Sequence, residues 1–264
     1  AVSQEQLFTG ARVMGRRNKK GRPVSGWLIL DKAHDVGSTE AVSKVKWLFQ
    51  AQKAGHAGTL DPAADGVLII CQQKATKLVE QVMDLPKVYR ATARLDVTSE
   101  SYDSDRPLEP VAIPSQPTEN DVREALAGFE GRIEQTPPRI SAIKIGGVPA
   151  YKMAGQADAP PMPTRTVTVY WTHLHRFDWP YVEFEMACGR GTYVRSLIRD
   201  LGHRLNTGGC LTALTRLAVG PFTADRAWTF ERLEAANDTT SCLIPLDEAR
   251  PLVGERPVVI PDRP

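Results

Sequence analysis

Apolar residues recur along the chain with two different spacings, and the spacing assigns each segment to a strand or a helix. Short uninterrupted apolar runs predict buried strands at residues 24–30 and 66–71. Residues 88–97 alternate, with Tyr89 on the apolar face and Arg90 on the polar one, which predicts a half-buried strand. Helical spacing instead marks a segment that begins after Thr118 and the segments 38–52, 74–83, 192–206 and 229–236.

The second half of the chain adds further strands and one irregular stretch. Residues 131–164 are rich in Pro and Gly, which predicts an excursion from the sheet with a short helix near Tyr151–Met153. β-rich runs follow at 166–177 and 181–187, and another strand is predicted near 212–219. Because strands and helices are mixed without regular βαβ alternation, the pattern predicts an α+β fold built on a mixed sheet.

Two helix starts carry residues that commonly cap helices. Ser38 or Thr39 is predicted to cap the first helix. Thr118 is followed by Asp121 three residues later, which is close to a capping box, so a helix is expected to begin there.

Composition then excludes several protein classes. The 264 residues are 42% hydrophobic and 24% charged, unlike disordered, collagenous or membrane chains. The longest apolar run, Val67–Cys71, is far shorter than the roughly 20 residues of a membrane span. The first thirty residues lack the apolar stretch of a signal peptide. The four cysteines are far apart without a C-x-x-C pair, which indicates reduced thiols of a cytoplasmic protein.

The net charge of +2 hides an uneven distribution. Residues 11–22 contain six basic side chains and no acid, namely Arg12, Arg16, Arg17, Lys19, Lys20 and Arg22. The other 27 basic residues face 31 acidic ones, so the rest of the chain carries −4. Such a run can bind a polyanion, or it can be a solvated tail, and composition alone does not separate the two.

The segment most suggestive of chemistry is Gly55–Gly66, GHAGTLDPAADG, which joins a predicted helix to a predicted buried strand. Its glycines let the backbone approach a ligand closely. Pro62 biases Asp61 towards extended backbone, which would hold the carboxylate in one direction. An Asp-Pro turn whose carboxylate caps a helix is the alternative interpretation. Asp61 and Asp65, four residues apart, could instead be the carboxylate pair of a glycosidase, which is a weaker hypothesis.

A second segment, Cys188–Arg195, carries glycines into the start of a predicted helix. Arg195 lies in the first turn, next to the apolar stripe, where it could turn inwards and pair with a carboxylate. A solvated surface arginine at a helix start is the alternative.

Tyr89, His173 and His175 are the remaining candidate functional residues. Tyr89 offers a flat ring that can stack on a base, although such a tyrosine is commonly part of a core. His173 and His175 share a strand face without a suitably spaced third ligand, so no metal site is expected. The patterns of P-loops, nucleophile elbows and dinucleotide-binding loops do not occur in the sequence.

Five motifs in this order resemble one family. They are GHAGTLDP, KVYR, QTPPRISAIKIGG, CGRGTYVRSLIRDLG and LTRLAVGPF, which lie between residues 55 and 222. The resemblance as a whole runs from about residue 23 to residue 236. Together they are similar to the TruB family of bacterial tRNA pseudouridine synthases. That resemblance implies a pseudouridine synthase fold, in which helices flank a mixed central sheet and residues 131–164 form a thumb-like insertion.

The resemblance also implies an activity and a set of site residues. The expected reaction isomerises the T-loop uridine of tRNA to pseudouridine and needs no cofactor or metal, because no atom is gained or lost. Asp61 is the implied catalytic carboxylate, Arg195 its partner, and Tyr89 the aromatic residue that holds the uracil and helps to remove its C5 proton. The residues expected to contact or enclose the substrate are His56, Tyr193, Leu214, Lys32 and Lys144, with Lys32 given either an RNA-binding or a structural role.

The sequence and the resemblance also predict how the chain is organised and what it binds. Residues 1–22 form a basic tail, 23–250 the catalytic domain, and 251–264 a Pro-rich arm, which leaves no room for the PUA domain of many relatives. The T arm of tRNA is the expected partner. No membrane or protein partner is expected, and the protein is expected to be a cytoplasmic monomer. A tRNA-folding chaperone of the same fold that binds RNA without catalysis is the alternative function.

Overall fold

The computed structural model describes residues 21–156, 158–253 and 260–264. The helices are α1 (Ser38–Leu48), α2 (Val79–Asp84), α3 (Glu119–Ala127), α4 (Val194–Leu205), α5 (Phe230–Glu234) and α6 (Leu246–Ala249). The strands are β1 (Gly26–Lys32), β2 (Ala54–His56), β3 (Ala64–Gln72), β4 (Lys87–Arg94), β5 (Val97–Thr98), β6 (Glu109–Pro110), β7 (Gly131–Gln135), β8 (Lys144–Ile145), β9 (Val148–Pro149), β10 (Arg165–Asp178), β11 (Tyr181–Cys188), β12 (Cys210–Val219) and β13 (Phe222–Thr223). The predicted basic tail lies outside the described residues except for its last two positions, and so does part of the predicted arm.

Nine of the described strands form one mixed sheet. Its central order is β1-β3-β12-β4-β11-β10-β7, with β2 also paired to β3 and β13 to β12. The β3–β12 pair is parallel, and the other pairs are antiparallel. The α+β prediction with a mixed sheet is therefore confirmed.

The apolar run of β1 is buried on both faces of the sheet. Leu28 and Leu30 pack with α1 and α5 on one face, whereas Trp27 and Ile29 pack on the other, near α6. This two-sided burial is why the run shows no polar alternation. On the α1 face, a second core joins the apolar side of β4 to α3 and α4.

The insertion begins at residue 136 and not at the predicted residue 131, because residues 131–135 belong to the sheet. Gly131–Gln135 form β7, an edge strand that pairs with β10 from Arg165 to Val169. The segment is short and mostly exposed, so it lacks the apolar pattern that marks a strand. The excursion from the sheet therefore covers 136–164 and contains the β8–β9 hairpin and the 3-10 turn Ala150–Lys152.

Helix boundaries differ from the predictions where side chains have other partners. Ser38 is the first residue of α1 rather than its cap, because its hydroxyl bonds to Leu60. The helix ends at Leu48, and Gln50 has a φ of 50°. The capping box at Thr118 is confirmed, since Asp121 N donates to Thr118 Oγ1 at 3.2 Å. The segment predicted as a helix at 74–83 divides into a 3-10 turn at Gln73–Leu78 and α2.

The described end of the predicted arm lies against the sheet. Trp171 Nε1 donates to Pro261 O at 2.6 Å. Arg263 donates to both carboxylate oxygens of Glu130 at 2.8 Å. These contacts tie residues 260–264 to β10 and to the end of the α3 segment.

Candidate active site

A cavity of about 350 Å³ opens where the loop before β3 meets β4, β12 and the start of α4. Five of the eight predicted site residues line it together, namely Asp61, Tyr89, Tyr193, Arg195 and Leu214. They come from positions up to 153 residues apart in the chain, so the fold assembles one site from several motifs.

The loop that carries Asp61 is pinned by hydrogen bonds on both sides of it. Ser38 Oγ donates to Leu60 O at 2.7 Å, and Leu60 N donates to the same hydroxyl at 2.9 Å. On the other side, Asp35 N donates to Pro62 O at 2.8 Å. Because these groups fix the backbone around Asp61, its carboxylate has a defined direction without being buried.

Lys32 supports the same loop from below. Its side chain is fully buried, and Nζ donates to the carbonyl oxygens of Ala33, Val36 and Pro62 at 2.9, 2.7 and 3.3 Å. Burial lowers the pKa of this amine. The three donors of Lys32 are thus used within the protein, which favours the structural role over contact with the substrate.

Arg195 forms the central ion pair of the cavity. Its Nη2 donates to Asp61 Oδ2 at 2.8 Å. Its Nη1 donates to Ile140 O at 3.0 Å and to Ser101 O at 3.2 Å. Three chain segments thus hold one guanidinium, and the predicted inward turn of Arg195 is what the structure shows.

The start of α4 is fixed by a side chain of β7. Tyr193 N donates to Gln135 Oε1 at 2.8 Å, and Gln135 Nε2 donates back to Tyr193 O at 3.1 Å. This amide replaces a side-chain cap, which α4 lacks. Tyr193 therefore keeps its ring at the cavity wall, where burial raises the pKa of its phenol.

Tyr89 and Leu214 form the apolar part of the wall. Tyr89 lies on β4 opposite Met186 of β11 and Arg216 of β12. Burial raises the pKa of the Tyr89 phenol above its usual value, which is itself well above neutral pH. Both residues also pack against the two cores that meet beneath the cavity.

Arg216 is a site residue that the sequence pattern did not reveal. It is 1% exposed, lines the cavity, and donates to Val67 O at 2.7 Å, Gly58 O at 3.2 Å and Thr59 O at 3.4 Å. The guanidinium thereby ties β12 to the loop before Asp61. The available signal was a single charged residue in a strand whose other residues are apolar or threonine.

Asp103 is a buried acid near the site that the sequence analysis does not single out. Its side chain is buried, and burial together with the nearby charge of Asp105 raises its pKa to about 6, although Arg195 opposes the rise. A buried acid near the Arg195–Asp61 pair makes the ionisation of this region sensitive to pH.

Two residues that were predicted to contact the substrate, His56 and Lys144, do not line the cavity. His56 ends β2 and is partly buried, with Nδ1 enclosed and without a partner among the described residues. Burial lowers the pKa of its imidazole. Lys144 is exposed on the β8–β9 hairpin. Both residues stay predictions, because contact with RNA is not visible in the protein alone.

The described residues offer neither a metal cluster nor a membrane helix. Within 21–156, 158–253 and 260–264, no group of three or more His, Cys, Asp or Glu side chains is arranged to hold a metal ion. No helix in the described part of the chain has the length and apolar character to span a bilayer.

Comparisons with known proteins place the chain in a family. The sequence model for the TruB family pseudouridylate synthase N-terminal domain matches residues 46–194, and that for the tRNA pseudouridylate synthase B C-terminal domain matches 195–249. The chain is 46% identical to tRNA pseudouridine synthase B of Mesorhizobium japonicum, over 84% of this chain and 69% of the relative. It is 47% identical to the protein of that name from Brucella canis, with the same coverage.

A solved structure shows the same fold. A chain in the crystal structure of a Cbf5–Nop10–Gar1 complex superposes with a TM-score of 0.66 and 26% identity, over 86% of this chain and 61% of that chain. Family match, relatives and fold agree with one another and with the motifs. The chain belongs to the TruB family of pseudouridylate synthases.

Proposed function

We propose that this chain isomerises the T-loop uridine of tRNA to pseudouridine, with Asp61 as the catalytic carboxylate. The observation that carries the proposal is the Arg195–Asp61 pair, in which a fixed guanidinium holds one oxygen of a carboxylate that faces the cavity. Relatives called tRNA pseudouridine synthase B support the choice of tRNA as substrate.

The reaction requires three changes at one nucleotide. The C1′–N1 bond breaks, the uracil turns, and a C5–C1′ bond forms, after which the C5 proton is lost and N1 gains a proton. Atoms and electrons balance within the substrate. The base must first leave its stack to reach a cavity of this kind. Asp61 can then attack C1′ as a nucleophile or remove the 2′ proton as a base, and both routes need an ionised carboxylate.

The other cavity residues have roles that follow from their surroundings. Arg195 keeps Asp61 oriented and balances its charge. Tyr89 places an uncharged ring against the uracil, since a phenol is protonated at neutral pH and burial raises its pKa further. Tyr193 and Leu214 close the apolar wall and exclude water from the turning base.

RNA contacts outside the cavity complete the proposal. We assign catalysis to residues 23–250, with the excursion at 136–164 acting as a thumb against the T arm. Lys144 and Lys152 on this excursion would reach phosphates, and His56 would contact RNA beside the loop of Asp61. The basic tail, 1–22, would add charge attraction, and the arm at 251–264 would not take part in chemistry.

We further propose that the protein acts as a cytoplasmic monomer without a protein partner. Its four cysteines are free and buried, which suits a reducing compartment. Sedimentation of the protein alone and with tRNA tests the monomeric state, and a stoichiometry of one chain for each tRNA is expected.

The test of the function is the release of tritium from tRNA labelled at C5 of uridine. Wild-type protein should release it, and Asp61→Asn should not, while its tRNA affinity stays within about threefold. Turnover by Asp61→Asn would show that Asp61 is not the catalytic group. If the wild-type protein binds and refolds tRNA without releasing tritium, the chaperone alternative is correct.

A further inference from the structure

The lining of the cavity is strongly cationic. Asp61 is its only acidic residue among the described ones, and five basic residues accompany it, namely Lys87, Arg165, Arg190, Arg195 and Arg216. Arg195 is bonded to Asp61, and Arg216 to three carbonyl oxygens, as described above. The partners of the other three cations decide what the cavity can bind.

Two of these three cations are already engaged. Lys87 is buried, and Nζ donates to Leu85 O at 2.6 Å and to the carbonyl of Met83. Arg190 is paired with Glu80 at 2.8 Å and with Asp84 at 2.9 Å. Both side chains are therefore oriented by the protein and carry local partners.

Arg165 differs from the other four. Its side chain is partly buried at the cavity, and it has neither a hydrogen bond nor an ion pair with any described residue. The nearest acidic side chain on β7, Glu134, accepts a hydrogen bond from Thr166. A partly buried guanidinium without a counter-ion is unfavourable in the free protein and indicates that a ligand supplies the anion.

The backbone beneath Arg165 is fixed, so its guanidinium has a defined reach. Arg165 is the first residue of β10 and pairs with Gln135, the residue that holds Tyr193 through its side chain. Gly191 has a φ of 83°, and a Cβ atom at this position would lie 3.6 Å from Arg165 Nη1. The guanidinium thus lies over the loop that leads into α4, at the side of the cavity.

We propose that Arg165 binds an RNA phosphodiester next to the extruded uridine. This inference rests on the proposed function. When a base turns into a cavity, the phosphates on either side of it are drawn to the rim. A phosphodiester offers two charged oxygens to the guanidinium fork, whereas a uracil carbonyl offers a single neutral one. Arg165 is the cavity cation that has its fork free for such a ligand.

The first experiment compares Arg165→Gln with Arg176→Gln, which lies on the same strand but is exposed and paired with Asp178. The affinity for tRNA is measured at several salt concentrations. Arg165→Gln should bind about tenfold more weakly, and its salt slope should fall by about one. Arg176→Gln should match the wild-type protein. An unchanged affinity and slope in Arg165→Gln would overturn the proposal.

The second experiment identifies the phosphate. T-arm RNA is made with a neutral methylphosphonate on the 5′ side or the 3′ side of the target uridine. One of the two should weaken wild-type binding about tenfold and should weaken Arg165→Gln binding no further. Equal losses in both proteins at both linkages would show that Arg165 contacts neither phosphate.

Single-turnover rates separate this proposal from a merely structural role and from the proposed function. At saturating RNA, the rate of Arg165→Gln should fall by a smaller factor than its affinity for RNA, because the contact is one of binding. A large rate loss with an unchanged salt slope would instead make Arg165 a positioning residue for the Tyr193 loop. If the wild-type protein forms no pseudouridine, the proposed function fails, while the binding results still decide the phosphate contact.

Discussion

Arg195 Nη2 lies 2.8 Å from Asp61 Oδ2, yet the two side chains differ in exposure, at 7% for Arg195 and 47% for Asp61. The cation is enclosed and held by two further acceptors, while the carboxylate faces the cavity. Such a pair places the rigid cation behind the carboxylate that we propose to be reactive. Catalytic groups supported in this way react without first having to be ordered.

Replacing Arg195 with Gln tests this arrangement. The variant removes the charge opposite Asp61 and leaves the carbonyls of Ser101 and Ile140 with fewer donors. We expect the single-turnover rate of pseudouridine formation to fall on the order of 100-fold, with tRNA affinity changed less than threefold. Arg123→Gln, on an exposed face of α3, is the matched control. A fall in affinity equal to the fall in rate would mean that Arg195 mainly binds RNA.

A substitution at Gly66 tests the parallel pairing of β3 with β12, which joins the loop of Asp61 to β12. Gly66 has a φ of 95°, and a Cβ atom there would lie 2.3 Å from the backbone oxygen of Arg216. Gly66→Ala should therefore lower the free energy of unfolding by about 3 kcal/mol or more, since strands must separate to admit the methyl group. Urea denaturation measures the change.

The control for Gly66 separates crowding from backbone strain. Gly147 has a φ of 86°, but a Cβ atom there would meet nothing within 4 Å. Gly147→Ala should thus lower the free energy of unfolding by about 1 kcal/mol, the strain alone. Equal losses at the two glycines would show that the β3–β12 contact is not tight.

The sequence predicted the parts of the site that carry local signals. Asp61, Tyr89 and Arg195 occur in short motifs, and the strands beneath them have distinct apolar patterns, so both could be found from residue order. Arg216 and the inward side chain of Lys32 could not, because Arg216 bonds to carbonyls up to 158 residues away and Lys32 reaches Pro62, 30 residues away. The pattern of residues along one strand does not reveal that a charged residue is buried, because the carbonyl groups that accept its hydrogen bonds lie elsewhere in the sequence.

The edge strand β7 escaped prediction for a related reason. Its residues are largely exposed, and its place in the sheet comes from pairing with β10 rather than from its own apolar content. Gln135, at its end, then becomes the support of Tyr193. A role of this kind arises from tertiary pairing and leaves no mark in the local sequence.

Asp103 gives a prediction about pH. Its pKa in the folded protein is about 6, above the ordinary value of 3.8, so folding favours the protonated acid. The stability linked to this proton is fully present below pH 3.8 and is lost as the pH rises through 6. From about pH 4 to about pH 7.5, the free energy of unfolding of wild-type protein should therefore fall by about 2 kcal/mol relative to Asp103→Asn.

Urea denaturation at both pH values checks the Asp103 prediction. Asp225→Asn, which removes an exposed carboxylate, controls for the change in net charge. If Asp103→Asn follows the wild-type protein at both pH values, the buried carboxyl is not protonated in this range, and Arg195 stabilises its charged form.

The basic tail gives the last prediction. Arg22 is held by backbone bonds, with its N donating to Gln50 O at 2.6 Å, so a deletion that stops at residue 20 keeps this hydrogen bond. Deleting residues 1–20 removes five basic residues of the tail. If the tail binds the polyanion, tRNA affinity should fall, and the slope of log affinity against log salt should become flatter by about 0.7 to 0.9 for each phosphate that the tail no longer neutralises.

The matched control keeps the length of the tail and replaces its basic residues with Gln. Both variants should show the same flatter slope, because the effect depends on charge and not on chain length. Saturating single-turnover rates should stay at the wild-type value, since the cavity is untouched. An unchanged slope in both variants would leave the tail as a solvated segment. The RNA affinity would then come from residues 23–264, whose 27 basic and 30 acidic residues give a net charge of −3, through local cations such as Arg165.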